Sequence, residues 1–270
     1  MLPAPCYIMA DAHLGVADQA LERQLVHFVR ALRGRAGTLL INGDLFEFWF
    51  EWRAVVPRGH FRVLSALAEL GESGVRVVLT AGNHDCWGGD VLVNDVGLEY
   101  RMAPWTGELA GWHAHVEHGD GVHPVLDRGY RRLRAVVRHP LAIRAFRLVH
   151  PDLGSRLAHG SSQASRTYRP RDGGRGVRDF AIATLDGDPS LELVVLGHSH
   201  VAALERAATG GVYANPGAWM DAPTFLKVTP ERIELRRWTD IAGTGASGGS
   251  AEGELLDALD RRPEKALAHA

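Results

Sequence analysis

Five short stretches of this 270-residue chain put metal-binding side chains at or just past the end of an apolar run. They are Asp11 and His13 in DAH, Asp44 in GD, Asn83, His84 and Asp85 in GNHD, His118 in HGD, and His198 and His200 in GHSH. Carboxylate, amide and imidazole donors without a thiolate suit Mn²⁺, Fe or Zn better than an all-oxygen Ca²⁺ site. Asp11, His13, Asp44 and His200 are enough for one cation. Asp44, Asn83, His118 and His198 are enough for a second, with Asp44 shared. Two divalent ions about 3.5–4 Å apart clamp phosphoryl oxygens and lower the pKa of a bridging water. Mn²⁺ is the expected ion, with Fe or Zn as alternatives. His84 is placed to protonate a leaving oxygen or stabilise charge on a phosphate, and Asp85 to orient His84. Each fragment alone has a plainer reading: DxH or HxH as a surface or capping pair, GD or GNHD as a turn. Their occurrence together, each behind an apolar run, favours one joint site. His27, His60, His113, His115, His139, His150 and His159 keep plain readings, and His123 stays open.

The elements that must position these residues are legible from periodicity. Cys6–Ala10, Thr38–Asn42, Val75–Thr80, His113–Glu117 and Leu191–Leu196 read as strands. Leu21, Leu25, Phe28 and Leu32 place a helix over Gln19–Leu32, stopped near Gly34, and a second helix covers Phe61–Leu70. Val212–Asn215, Phe225–Thr229 and Glu231–Arg237 add a late strand-rich stretch. Alternation first and strands later predict an α/β sandwich with a mixed sheet. Residues i and i+2 of a strand share a face, so Asp11/His13 and His198/His200 can each converge on one point. Open α/β sheets gather ligand sites at the carboxyl ends of their strands. A Gly beside each ligand lets backbone approach closely.

Length and composition suit one large soluble domain or one with an insertion. Two Cys without CxxC argue against a disulfide framework and fit a reducing compartment. The first residues lack the pattern of a signal peptide, and no apolar run reaches membrane-spanning length. Net charge of −2 predicts no nucleic-acid partner. The charge is uneven, however. Val125–Phe180 holds 13 Arg, no Lys, no Glu and 4 Asp, a sum of +9, so the remainder carries −11. Leu126, Tyr130, Leu133, Val137, Leu141, Phe146, Val149, Leu153 and Leu157 interleave at roughly helical spacing. A basic amphipathic insert in an acidic body asks for an anionic partner. Residues 1–124 and 181–240 read as a core, 125–180 as a helical cap, and 241–270 as a Gly/Ser-rich flexible tail with a loose helix.

The series DxH, GD, GNHD, HGD, GHSH resembles the calcineurin-like metallophosphoesterase superfamily over roughly Cys6 to Trp238, the insert excepted. That resemblance implies a four-layer α/β-β/α sandwich around a dinuclear centre and hydrolysis of phosphoesters or pyrophosphates by metal-activated water. The ligand set above matches its pattern residue by residue. GDLFEFW further resembles the signature of the UDP-2,3-diacylglucosamine diphosphatases of lipid A biosynthesis, as do Asp127-Arg-Gly-Tyr130 and Gly217-Ala-Trp219. That family's better-known members carry Arg where this chain has His84, and the GNHD wording matches a second branch. The resemblance implies cleavage to UMP and 2,3-diacylglucosamine 1-phosphate, with the insert as lipid-binding cap. It puts Asp127 and Tyr130 near the sugar-nucleotide head and brings Arg156 and Ser162 to the substrate. Phe46, Phe48, Trp49, Phe50 and Trp52 either pack the insert onto the body or floor a lipid groove, and Trp49 is the expected substrate contact among them. Arg-rich amphipathic helices also suit a phosphate mouth and an anionic membrane surface. The expected place is peripheral, on the cytoplasmic face of the inner membrane, with oligomeric state open. The competing readings are a soluble phosphodiesterase or nucleotide pyrophosphatase on the same core, and a non-catalytic scaffold, disfavoured because no metal ligand is missing.

Overall fold

The computed structural model describes residues 1–123, 127–157, 172–239 and 252–262. Seven strands form the first sheet, in the order β12-β11-β10-β1-β2-β3-β4. They are β1 (Cys6–Met9), β2 (Thr38–Asn42), β3 (Arg76–Thr80), β4 (Glu99–Arg101), β10 (Thr224–Val228), β11 (Arg232–Arg237) and β12 (Glu254–Asp260). β1 to β4 run parallel, and β10, β11 and β12 pair antiparallel beyond β1. The second sheet has the order β5-β6-β7-β9-β8, with β5 (Trp105–Leu109), β6 (Trp112–Val116), β7 (Leu193–Val195), β8 (Ala203–Arg206) and β9 (Val212–Asn215). Here β6, β7 and β9 are parallel and the two edges antiparallel.

Strand alternation sorts the side chains into three apolar layers. Cys6 and Ile8 of β1, Leu40 of β2, Val78 of β3, and Leu193 and Val195 of β7 meet between the sheets. The intervening Tyr7, Met9, Leu39, Ile41, Val77 and Leu79 face α1 (Gln19–Ala31) and α2 (Phe61–Glu72). On the far side, Val194 and Tyr213 face α6 (Arg175–Gly187) through Val177, Ala181 and Leu185. Helices, sheet, sheet and helix give the four layers the motif series implied. Asp18 starts α1 by accepting from Ala20 N at 2.7 Å.

Three further helices lie outside these layers: α3 (Arg128–Val137), α4 (Pro140–Phe146) and α5 (residues 151–157). They occupy the expected insert, but its far boundary differs. α6 begins at Arg175, inside the stretch read as cap, and packs on the second sheet because Val177, Ala181 and Leu185 point to one face. The tail needs a second correction. Glu254–Asp260 is strand β12, paired along β11, rather than a loose helix.

Candidate metal centre

β1, β2 and β3 are neighbours in one sheet, β6 and β7 in the other, and the two sheets face each other. The residues that follow these five strands therefore meet at one end of the sandwich. Main-chain bonds lace them together. Asp11 N donates to Gly43 O at 3.1 Å, His13 N to Asp44 O at 3.0 Å, and Gly197 N to His118 O at 2.8 Å. Asp11, His13, Asp44, His198 and His200 all adopt positive φ, between 44° and 62°. Non-glycine residues reach that region only where surroundings over-determine the backbone, commonly at functional sites. Close approach explains two glycines: a Cβ on Gly43 would strike the His118 ring, and one on Gly82 the Asp44 carboxylate.

Two carboxylates organise the centre. Asp44 Oδ1 accepts from His84 N at 2.9 Å, and Oδ2 lies 3.2 Å from His118 Nε2 and 3.8 Å from His13 Nε2. Asp11 Oδ2 accepts from His198 N at 3.0 Å, and Oδ1 lies 3.4 Å from His200 Nε2 and 3.8 Å from His13 Nε2. Each acid thus ties one oxygen to backbone and offers the other to histidines. Asp11, His13 and His200 form one group of convergent donors, and Asp44, His118 and His198 a second. His13, Asp44 and His84 form a third. The expected ligand sets do not include His84, which here stands beside Asp44 and His13.

Several histidines have their outer nitrogen anchored. His118 Nδ1 lies 2.9 Å from Asn42 O, and His200 Nδ1 lies 3.0 Å from Asp221 Oδ2. His13 Nδ1 lies 3.0 Å from Glu47 Oε2. Such contacts fix ring orientation and leave the other nitrogen for a cation. Asp11 Oδ1, His13 Nε2 and Asn83 Oδ1 are buried with no hydrogen-bond partner among the described residues. Buried polar atoms without partners are costly. Asp11 Oδ1 and His13 Nε2, 3.8 Å apart and grouped with His200, fit a divalent cation. Of the anchors, Asp221 and Asn42 carry no sequence signal that marks them as site residues, and Glu47 only that of an acid inside an apolar run.

Electrostatics agree. Burial opposes charge on Asp44, yet His118, His84 and His13 beside it hold its carboxyl well below the usual range. Burial likewise opposes charge on His118, but Asp44 raises it well above 6.5. His198 is lowered by burial and by His118.

Other expectations fare differently. Asp85 does not orient His84 through its carboxylate. It accepts from Gly82 N at 2.8 Å and Leu45 N at 2.7 Å, clamping two ligand loops together, while burial and Asp44 push it up to about 6. His84 Nδ1 instead lies 3.0 Å from Glu47 O. Trp49 is corrected as a substrate contact: it is 0% exposed, stacks on Phe46 and donates Nε1 to Glu51 at 3.1 Å. Phe46 and Trp49 pack into the main core, whereas Phe48 and Phe50 join a separate apolar cluster against the insert. Those two, with Trp87, line a cavity of about 240 Å³ whose other wall is Val137, Ile143 and Phe146 of the insert. Asp127 Oδ2 accepts from His123 N at 2.8 Å at the start of α3, and the Tyr130 hydroxyl donates to Asp120 at 2.5 Å. Arg156 is exposed on α5, and Ser162 lies outside the described residues.

The family described as Calcineurin-like phosphoesterase matches residues 4–202. A UDP-2,3-diacylglucosamine hydrolase from Porphyromonas gingivalis is 38% identical over 164 residues, covering 59% of this chain and 63% of that protein, just under two thirds of its length. The protein so named from Pseudomonas syringae pv. tomato is 31% identical over 251 residues, covering 88% of this chain and 98% of its own. Among solved structures, a dimetal phosphatase from Danio rerio aligns with TM-score 0.49 and 12% identity over 95% of this chain and 98% of that one. The chain belongs to the calcineurin-like phosphoesterases and, within them, to the family of the UDP-2,3-diacylglucosamine hydrolases.

Proposed function

We propose that this protein hydrolyses the pyrophosphate of UDP-2,3-diacylglucosamine, a lipid-linked sugar nucleotide. Water adds at the uridine-side phosphorus and the bridging P–O bond breaks, giving UMP and 2,3-diacylglucosamine 1-phosphate. The observation that carries this reading is the junction of the polar centre with an apolar cavity. Phe48 of the cavity follows Glu47 of the centre, and Trp49 N donates to His84 O at 3.3 Å. Trp87, three residues past His84, donates Nε1 to Val137 O at 2.9 Å and closes the junction against α3. A substrate with a diphosphate and acyl chains needs such a neighbourhood.

Asp11, His13, Asp44 and His200 would hold one divalent cation, and Asp44, Asn83, His118 and His198 the second, with Mn²⁺ the favoured ion. Bound there, the pair supplies Lewis acidity toward phosphate oxygens and an activated water. The remaining work falls to side chains. His84 gives a hydrogen bond or proton to a phosphate oxygen. Arg138, 2.9 Å from Gly82 O, brings positive charge from the cap to the ligand loop. Phe48, Phe50 and Phe146 exclude water around an acyl chain.

The insert supports membrane contact. Leu133, Val136, Leu141, Leu148, Leu153 and Leu157 are all more than half exposed, on a segment rich in Arg. An apolar and basic face suits a peripheral position on anionic headgroups. Among the described residues no helix is long and apolar enough to cross a membrane.

The deciding assay supplies Mn²⁺-loaded protein with UDP-2,3-diacylglucosamine and, separately, bis-p-nitrophenyl phosphate. UMP release that is lost in Asp44→Ala is expected. Cleavage of the small diester alone would replace this reading by a general phosphodiesterase.

A further inference from the structure

We propose that residues 53–62 form a second membrane contact, on the body of the protein, which takes anionic lipid headgroups beside the cavity. The inference extends the reading of the insert as a membrane face and rests on it. The segment, RAVVPRGHFR, holds Arg53, Arg58 and Arg62 and no acid, within a body that is otherwise acidic. All three arginines are exposed, and none has a hydrogen-bond or ion-pair partner among the described residues. Two acids close by are engaged elsewhere: Glu51 accepts from Trp49 Nε1 at 3.1 Å and from Gly89 N at 2.9 Å, and Glu22 faces His60 at 3.6 Å. Val55 and Phe61 stand 47% and 59% exposed among these charges. Exposed apolar side chains interleaved with unpaired cations match the boundary between anionic headgroups and acyl chains.

The segment is pinned at several points. Trp52 N donates to Val55 O at 3.0 Å, Val56 packs against the main core, and the His60 ring lies on Phe46 with centroids 5.7 Å apart. His60 O accepts from Val63 N and Leu64 N, both at 3.0 Å, and so starts α2. The anchors turn inward, and Arg53, Val55, Arg58, Phe61 and Arg62 are left outside. The patch also adjoins the insert. Trp52 donates Nε1 to Val149 O at 3.0 Å, and the residue before Val149, Leu148, is 89% exposed. Phe48 and Phe50, on the chain leading into Trp52, form one side of the cavity, and Ile143 and Phe146 of the insert form another. Lipid contact through both flanks holds the cavity against the bilayer, so an acyl chain can enter without crossing water.

Vesicle flotation tests this with the full chain, using phosphatidylcholine alone or phosphatidylcholine mixed with phosphatidylglycerol. Wild type should float with the anionic vesicles and far less with the neutral ones. An arginine near an anionic surface adds about fivefold in partition, so the triple variant Arg53→Gln, Arg58→Gln, Arg62→Gln should bind about 100-fold more weakly. The pair Val55→Ser, Phe61→Ser should lose about tenfold. Both should cleave bis-p-nitrophenyl phosphate at the wild-type rate. The pair Leu148→Ser, Leu153→Ser tests the insert separately. If that pair loses vesicle binding while the arginine variant keeps it, the proposal falls and the insert reading stands. If wild type binds neither vesicle, both fall. A second measurement uses the burial of Cys6 and Cys86, which leaves a nitroxide on Val55→Cys as the single exposed label. Anionic vesicles should shield it from a soluble nickel chelate, and leave accessible a label on Glu72→Cys, at the far end of α2. Unchanged accessibility at Val55→Cys overturns the proposal.

Discussion

In the strand-end loops Asp11, His13, Asp44 and His118 are each at most 2% exposed, whereas α3 and α4 of the insert contain no buried residue. The loops are held by main-chain laces, by Asp85 and by anchored imidazoles. The insert is held by a few side-chain latches. Asp120 accepts from the Tyr130 hydroxyl and lies 3.2 Å from Arg134 and 3.4 Å from Arg138, the first two on α3 and the third capping its C-terminal end. Trp52 and Trp87 reach across to Val149 O and Val137 O. Dense bonding suits chemistry that tolerates little displacement. Sparse latching suits a surface that must admit a long, soft substrate. The two regions should therefore respond differently to mutation.

Asp44→Ala carries the largest expected effect. It removes the carboxylate facing both His13 and His118, and should abolish cation binding and turnover of every substrate. Retained diester cleavage would show that the centre does not depend on its shared acid. His84→Ala comes next, with cation content kept and turnover slowed about 10²–10⁴-fold for lipid and small diester alike. A loss confined to the lipid substrate would move His84 from the chemical region to the recognition region.

The pH response of the metal-free protein sharpens the contrast further. His118, raised by Asp44 against the opposing effect of burial, contributes stability that is complete below its unfolded pKa near 6.5 and is lost as pH rises through the raised value. Asp44, lowered by the same histidines, contributes stability that is complete above an unfolded pKa of about 3.9 and is lost as pH falls through the depressed value. In EDTA the protein should melt highest at mildly acidic pH. Cation affinity should instead strengthen as pH rises, because binding displaces the His118 proton. Melting curves with and without Mn²⁺ across pH check both slopes.

Changes in the insert should be milder and substrate-selective. Phe146→Ala removes a ring 4.8 Å from Phe50, and should raise KM for the diacyl substrate about tenfold, for loss of about 1–2 kcal/mol of apolar contact. Its rate on bis-p-nitrophenyl phosphate should stay unchanged. Tyr130→Phe, deleting only the hydroxyl on Asp120, should cost about 1 kcal/mol in urea unfolding. A collapse of small-diester turnover in Tyr130→Phe would mean that the latch belongs to the chemistry.

Much of the core was open to reading from residues alone. β1, β2, β3 and β7 are short aliphatic runs, and buried strands leave that mark whatever their partners. The metal-binding residue types follow them at once, so the ends of the strands announced the site. β4 and β8 escaped because EYR and ALER are half-exposed edge strands with no apolar run. β12 escaped because Leu255 and Leu256 stay 46% and 38% exposed, so pairing rather than burial defines that strand. Trp49 and Phe48 are neighbours in a loop, and without a regular period nothing in composition tells which one faces the core. Glu47 left one usable signal: an acid inside the run LFEFW, where an unbonded carboxylate would be expelled.

β12 closes the first sheet at the end beyond β11. Its exposed edge carries Glu254, Asp257 and Asp260 among its leucines. Charged side chains on an outer strand discourage other chains from docking there. A chain shortened to residue 239 would uncover β11 along Arg232–Arg237, where Ile233 and Leu235 sit in a ladder with open donors and acceptors. The stretch that looks dispensable is then a guard against self-association, and trimming it should be visible as clumping during purification before any loss of catalysis.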